Sequence, residues 1–167
     1  MKKWYAVFVA ALALLVVPAS DLHAQVAIGP QAVLFDFEDI AVGARVDFGL
    51  GEAFGIEDGF FQGLFGSVNG NYVFVDGDVT SLLFNANLAV PLVTESAAVS
   101  PYIGAGLDLY RWSASAGGVT VSDNATGLNV LGGLFFDLGA LPAFVEAQYS
   151  TTASGFLSIS AGVLFGR

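Results

Sequence analysis

The strongest constraint on this fold is an alternation of apolar residues with small or polar residues at every second position, which is the period of a β-strand and not of a helix. Six segments show the alternation clearly: 40–50, 82–92, 102–110, 128–137, 143–150 and 157–166. Clusters of turn-favouring residues lie between the strand-like segments, at 36–39, 51–59, 75–79, 94–100, 113–124, 139–142 and 151–155. The chain is therefore predicted to be an all-β protein.

Two further segments are β-like but less regular. Residues 26–35 contain Pro30, and a proline within a strand implies an edge, a first position or a bulge. Residues 60–74 have mixed parity, which a β-bulge near Gly66 or Gly70 would explain. With these two segments, the sequence predicts eight strands and seven connections.

The polarity of the two strand faces indicates what surrounds them. Only 12% of the residues are charged, about half of the roughly 25% found in soluble domains. The face that carries Gly, Asn, Ser and Asp is too poor in charge to be a wet exterior, but it suits the crowded lumen of an eight-stranded barrel. The apolar face then meets lipid, with Arg111 as a charged exception near the end of its strand, where its side chain can reach the interface.

The first 24 residues have the features of a secretory signal peptide. Two lysines precede an apolar run over 4–17 that a proline ends. Cleavage is expected after Ala24, with Ala19 as the alternative site. The segment 25–167 then forms one domain, because eight tilted spanning strands use roughly 80 residues and leave enough for seven connections. The predicted fold is an eight-stranded antiparallel up-and-down transmembrane β-barrel, preceded by a signal peptide at 1–24.

The acidic residues inside the predicted strands all fall on the face assigned to the lumen, and these are Asp47, Asp108, Asp137 and Glu146. Arg45 shares that face. Because an unpaired buried carboxylate is unfavourable, we expect Arg45 to pair with Glu146 and the other acids to lie near a wet rim or to be protonated. Such a network predicts a lumen plugged by side chains. A narrow, cation-leaning pore is the alternative.

Aromatic residues of the apolar parity predict two membrane interfaces, if both termini face the periplasm. The residues assigned to the periplasmic girdle are Phe48, Phe136 and Phe165. The outer girdle is assigned to Tyr149 together with Tyr72 or Phe74.

Four short motifs carry a family resemblance: SPYIGAGL at 100–107, LGGL at 131–134, PAFVEAQY at 142–149 and SAGVLF at 160–165. With them, the segment 25–167 resembles the bacterial outer-membrane β-barrel domain family, in its eight-stranded type with OmpA-like, OmpX-like and opacity-type members. The resemblance implies a bacterial outer-membrane location. It also implies recognition of an aromatic residue near the end of the barrel, here Phe165, by the barrel-assembly machinery.

The residue content of 25–167 argues against catalysis. The single histidine, His23, lies in the predicted signal peptide, and the remaining segment contains no Lys and no Cys. Barrel enzymes of the resembling type rely on a histidine base, as the resemblance implies. We therefore expect no enzyme, no cofactor and no zinc site. The scarcity of basic residues excludes a nucleic-acid partner.

Two acidic clusters are weak candidates for a divalent cation: Asp36, Glu38 and Asp39 in one connection, and Asp76 and Asp78 in another. They could bind Ca²⁺ or bridge a cation to lipopolysaccharide, because hard cations prefer several carboxylates. Solvated loop acids are the simpler interpretation.

Together these patterns predict a monomeric integral outer-membrane barrel with a structural or surface-interaction role and a plugged lumen, in contact with outer-membrane lipid and lipopolysaccharide. The alternatives are a narrow cation-leaning pore and a secreted soluble barrel that binds an apolar ligand.

Overall fold

The computed structural model describes residues 26–51, 54–56, 58–75, 79–92, 98–139, 141–152 and 155–166. The strands within these ranges are β1 (Val26–Phe35), β2 (Asp39–Gly49), β3 (Phe65–Phe74), β4 (Val79–Pro91), β5 (Val99–Ala116), β6 (Val119–Leu138), β7 (Leu141–Ser150) and β8 (Phe156–Val163). Each strand pairs antiparallel with the next, and β8 pairs with β1 to close a barrel. The predicted all-β, eight-stranded antiparallel barrel is confirmed. The predicted signal peptide at 1–24 lies outside the described residues.

Strand β3 pairs with both neighbours in a constant register, so the prediction of a β-bulge near Gly66 or Gly70 is wrong. The mixed parity has another cause. Phe65 and Val73 point into the barrel, whereas the two glycines point outward. The ring of Phe48 occupies the space that a Cβ at Gly66 would need. Apolar residues inside and glycines outside thus obscure the alternation without disturbing it.

The prediction of a long loop over 113–124 is wrong, because β5 and β6 continue through this segment as a hairpin. Gly117 and Gly118 form its two-residue turn with φ angles of 57° and 82°, as a type I′ turn requires. Two expectations change with it. Asp123 lies in β6 and not in a connection, and Arg111 lies well before the end of its strand. The opposite error occurs at residues 60–64. The sequence predicted a strand there, but residues 60–63 form turns and β3 begins only at Phe65.

Pro30 lies inside β1, next to the seam that closes the barrel. The β1–β8 pairing runs from Gln31 and Gly162 to Phe35 and Ser158, and beyond Pro30 it resumes only as a single bridge from Ile28 to Phe165. Proline has no N–H to donate, so an interrupted ladder is the expected result. The prediction of an edge, a first position or a bulge at Pro30 is therefore wrong, since the closed barrel accommodates the proline by a gap in the ladder.

The barrel has an apolar outer surface and three interior layers. Two ends are distinguished here: the hairpin end, with the β1–β2 and β5–β6 turns, and the terminal end, where β1 begins and β8 ends. An apolar cluster closes the hairpin end, comprising Val33, Phe35, Ala41, Val73 and Leu83. A larger cluster closes the terminal end, comprising Ala27, Phe65, Ala89, Tyr102, Leu131, Phe135, Phe144 and Leu164. Polar side chains fill the space between them. Among the described residues, no helix is long and apolar enough to cross a membrane.

Candidate functional site

The interior polar side chains form three groups, and the first surrounds Arg45. Residues two positions apart share one face of a strand, so Arg45 and Asp47 both point inward from β2. The Arg45 Nε donates to Asp47 Oδ1 at 2.7 Å, and Nη1 donates across the lumen to Glu146 Oε2 at 2.9 Å. Arg45 is only 1% exposed and Glu146 only 3%. One cation thus pairs with two buried carboxylates from strands β2 and β7.

Aromatic rings of the terminal-end cluster enclose this cation. The guanidinium carbon of Arg45 lies 4.3 Å from the ring centroid of Phe144, and 5.8 Å from those of Tyr102 and Phe135. The Tyr102 hydroxyl donates to Glu146 Oε2 at 2.9 Å. Ring faces attract a guanidinium, and a water-poor surrounding strengthens the attraction. We call Arg45, Asp47, Tyr102 and Glu146 the arginine layer.

The second group is centred on Asp108 of β5, which is 2% exposed. Its Oδ1 accepts hydrogen bonds from Asn129 Nδ2 at 2.5 Å and from Gln148 Nε2 at 3.1 Å. In the orientation that satisfies its neighbours, the amide nitrogen of Asn85 donates to the same oxygen at 2.6 Å. The Ser150 hydroxyl also hydrogen-bonds to this carboxylate, so its described donors are all neutral groups. We call Asp108, Asn85, Asn129 and Gln148 the amide layer.

A further chain of amides links β1 with β3. Gln31 Nε2 donates to Asn71 Oδ1 at 2.6 Å, and Asn71 Nδ2 donates to Asn69 Oδ1 at 2.9 Å. A cavity of about 10 Å³ lies among these residues and Glu146, which is about the space that one water molecule needs. The middle of the lumen is therefore filled almost completely by side chains.

The structure brings together three of the residues that the sequence assigned to a lumen network and leaves two apart. Arg45 pairs with both Asp47 and Glu146, while Asp108 belongs to the separate amide layer. Asp108 is buried and does not lie at a rim. Asp137 is exposed near the end of β6, at the terminal end of the barrel, and it is not brought to Arg45.

The aromatic residues assigned to the girdles point outward. Phe48, Phe136 and Phe165 lie near the ends of β2, β6 and β8, all at the terminal end. Tyr149 is 52% exposed near the end of β7, at the hairpin end. The geometry thus has one aromatic set at each end of the barrel.

The weak metal candidates that the structure describes do not form a metal-binding group. Asp36, Glu38 and Asp39 are exposed at the β1–β2 turn, and within the described ranges no group of three or more His, Cys, Asp or Glu is placed to hold a metal ion. Asp76 and Asp78 lie outside the described residues.

Several interior residues were not singled out by the sequence. Tyr102 and Phe144 occupy alternating positions that face the lumen, but the sequence analysis described that face as polar and gave their rings no role. The amides of Asn129 and Gln148 lay on the same face, without a partner named. Parity alone could have placed all four inside; only the strand register brings Tyr102 to Glu146 and Asn129 to Asp108.

This combination of an apolar exterior and a filled, polar interior defines a class, the eight-stranded transmembrane-type barrel. The N-terminal β-barrel domain of Pseudomonas aeruginosa OprF matches with a TM-score of 0.60 at 13% identity, covering 86% of this chain and 100% of that chain. Ail, the attachment invasion locus protein of Yersinia pestis, matches with a TM-score of 0.60 at 18% identity, covering 85% and 97%. The outer membrane enzyme PagL matches with a TM-score of 0.52 at 16% identity, covering 83% and 98%.

No family model and no curated protein matches the chain. The structural likeness nevertheless agrees with the resemblance derived from the sequence motifs. The chain has the fold of the eight-stranded outer-membrane barrels of the OmpA-like and OmpX-like type.

Proposed function

We propose that this chain is an integral outer-membrane protein with a structural or surface-interaction role, and that side chains close its lumen. The observation that carries the proposal is the inverted polarity of the barrel. Leu107, Leu128 and Val130 on the outer surface are 61%, 63% and 59% exposed, whereas Arg45 and Glu146 inside are almost completely buried. Hydrocarbon favours such an exterior, and a closed barrel leaves no backbone edge unpaired within it.

The closed lumen is supported by the sequence of layers along the barrel axis. An ion that entered at the hairpin end would meet the apolar cluster around Leu83, then the amide and arginine layers, and then the aromatic cluster around Phe135. An interior of eight strands is just wide enough for side chains to fill. These features favour a plug over a cation-leaning pore. They also disfavour an internal apolar ligand, because polar side chains occupy the middle of the lumen.

The proposal includes no catalytic step. Residues 25–167 contain no His, Lys or Cys to act as base or nucleophile. The likeness to PagL is one of fold alone. That PagL is an enzyme is a property of PagL and is not transferred to this chain.

The first test is refolding of residues 25–167 into detergent micelles, followed by electrophoresis with and without boiling. We expect a compact band that runs faster before boiling, because a closed barrel resists detergent. Insertion into a planar bilayer should then give no steady ionic current. Solubility in plain buffer with a single band would contradict the membrane proposal, and a stable current would contradict the plug alone.

A pair of variants sharpens the test. Leu107→Arg places a charge on the outer surface midway along β5, where a bilayer-embedded barrel loses about 2–4 kcal/mol. Val121→Arg places the same charge at 57% exposure near the tip of the β5–β6 hairpin. We expect only the first to lower the free energy of unfolding in lipid vesicles. A soluble barrel would tolerate both substitutions equally.

A further inference from the structure

A cavity of about 180 Å³ opens at the hairpin end of the barrel. Its floor belongs to the apolar cluster that closes this end, so the cavity is blind. A cavity of roughly 150 Å³ holds a molecule the size of benzene. The volume therefore suits a small organic ligand, and the closed floor makes the cavity a recess and not the entrance of a passage.

Three aromatic residues line the recess: Phe35, Tyr110 and Phe156. The rings of Phe35 and Phe156 pack edge to face, with centroids 5.5 Å apart and planes at 66°. The Ser81 Oγ donates to the Tyr110 hydroxyl at 2.5 Å, which fixes the third ring. Rings held in place in this way form a wall that needs little rearrangement when a ligand binds.

Two carboxylates, Asp36 and Asp39, lie on the same recess. The turn holds Asp36 firmly, because its backbone N–H donates to the Leu157 carbonyl at 2.8 Å and its Oδ1 accepts from the Leu157 N–H at 2.9 Å. Among the described residues that line the recess there is no Lys, Arg or His to neutralise this charge. The formal charge of the whole chain is also negative, at −10. A cation is therefore the charge type that the recess favours.

Thr152 supplies an independent indication of a ligand. It forms part of the recess wall and is 0% exposed, and its Oγ1 has no hydrogen-bond partner among the residues that the structure describes. Leaving a buried hydroxyl unpaired is energetically unfavourable. A ligand whose polar group reaches this oxygen would remove the penalty.

We propose that the recess binds a small organic ammonium ion, whose charged group lies at Asp36 and Asp39 and whose apolar part packs against the three rings. Carboxylates and ring faces both attract an ammonium group. A metal ion fits less well, because Ca²⁺ takes six to eight oxygen ligands. This inference rests on the proposed outer-membrane function in one respect only, namely the side of the membrane to which the recess opens.

The test is a titration of the refolded barrel with benzylammonium in a non-ionic detergent, measured by calorimetry or ligand-observed NMR. Benzyl alcohol serves as the neutral analogue of the same shape. We expect saturable binding of benzylammonium that weakens as salt is raised, and at least fivefold weaker binding of benzyl alcohol. Equal binding of the two compounds, or no saturation by benzylammonium, would overturn the proposal.

Matched variants assign the site. Asp36→Asn keeps an oxygen that can accept from the Leu157 N–H and removes only the charge, and Asp39→Asn does the same at the second position. Each should weaken benzylammonium binding about 2–5-fold, as expected for an exposed ion pair. Glu38→Gln removes an exposed charge from the same turn and should leave binding unchanged. An equal effect of all three substitutions would indicate general attraction by charge and would contradict a site.

Migration on a gel without boiling is recorded for every variant, so that the two proposals fail separately. A normal compact band with no binding contradicts the recess alone. Loss of the compact band in the unmodified protein contradicts the proposed barrel. Tyr110→Leu, which removes one ring and keeps both carboxylates, should weaken binding in a barrel that still migrates as folded; unchanged binding would contradict the aromatic wall.

Discussion

The arginine layer and the amide layer both contain a buried carboxylate, but they compensate its charge in different ways. Glu146 faces the guanidinium of Arg45 at 2.9 Å and accepts from the Tyr102 hydroxyl at the same distance. Asp108 has only neutral donors among its described hydrogen-bond partners, which are the amides of Asn85, Asn129 and Gln148 and the hydroxyl of Ser150. The first carboxylate is neutralised by an opposite charge, and the second is only solvated by dipoles.

The difference has a consequence for what each layer contributes. Removing one partner of a buried ion pair leaves the other charge unpaired, whereas removing the charge from a set of neutral hydrogen bonds leaves most of those bonds in place. The arginine layer also joins β2 to β7 across the lumen. The amide layer likewise joins β5 to β7, so the layers differ in charge compensation and not in reach. Because loss of the cation leaves two buried carboxylates unpaired, we expect the barrel to depend far more on Arg45 than on the charge of Asp108.

The largest effect is expected for Arg45→Ala. The substitution leaves Asp47 and Glu146 buried without their cation and should lower the free energy of unfolding by about 3–5 kcal/mol. Urea unfolding in lipid vesicles, followed by the fluorescence of Trp112, measures it. Arg111→Ala removes an exposed arginine and should change the stability little. Equal effects of the two substitutions would show that Arg45 is not a stabilising plug.

A triple variant separates loss of the charge from loss of the pair. Arg45→Met combined with Asp47→Asn and Glu146→Gln removes all three charges and keeps similar volumes. Replacing a complete buried ion-pair cluster is often neutral. We therefore expect the triple variant to recover most of the stability that Arg45→Ala loses. If the triple variant is as unstable as Arg45→Ala, packing and not charge determines the contribution of this layer.

Glu146→Gln should have the next largest effect. The amide keeps an oxygen that can accept from Tyr102, but it removes one of the two negative charges that face Arg45. A hydrogen bond between charged groups contributes about 1.5–3 kcal/mol, and we expect a loss within this range in the same unfolding assay. Glu38→Gln, at an exposed turn position, is the control and should leave stability unchanged.

The outline of this fold follows from the sequence because parity is a local property. The alternation over 40–50 is enough to place Arg45 and Asp47 on one face, and counting such segments gives the number of strands. The same information is lost where local composition is ambiguous. The small polar residues over 113–124 read as a loop, although the Gly117–Gly118 turn forms a hairpin there.

Partners across the lumen are not a local property. Arg45 and Glu146 are 101 residues apart, and their contact depends on the register of every strand between β2 and β7. Charge complementarity was enough to suggest this pair, since Arg45 is the only basic residue on the lumen parity. It could not distinguish Asp108 from Asp137, because burial depends on where along the axis each strand ends. The amide donors to Asp108 carry no charge signal that a sequence could reveal.

Tyr102→Phe tests the hydroxyl within the arginine layer. The ring stays in its stack with Phe135, whose centroid lies 4.4 Å away, and only the hydrogen bond to Glu146 is lost. We expect a loss of about 1 kcal/mol in the free energy of unfolding. Tyr149→Phe removes a hydroxyl from an outward-facing tyrosine and is the matched control. An unchanged stability for Tyr102→Phe would mean that Arg45 alone compensates Glu146.

The smallest effect, and the sharpest contrast, is expected for Asp108→Asn. The substitution has the same shape as Glu146→Gln, removing one buried charge and keeping an oxygen that accepts from Asn129 and Gln148. Here no cation is left unpaired, so we expect stability to rise or to change by less than about 1 kcal/mol. Asp108→Ala removes the acceptor as well, leaves the amide donors without a partner and should lower the free energy of unfolding by about 1–3 kcal/mol. A loss for Asp108→Asn as large as that for Glu146→Gln would contradict this difference between the layers. It would mean that a cation or a proton neutralises Asp108 in the folded barrel.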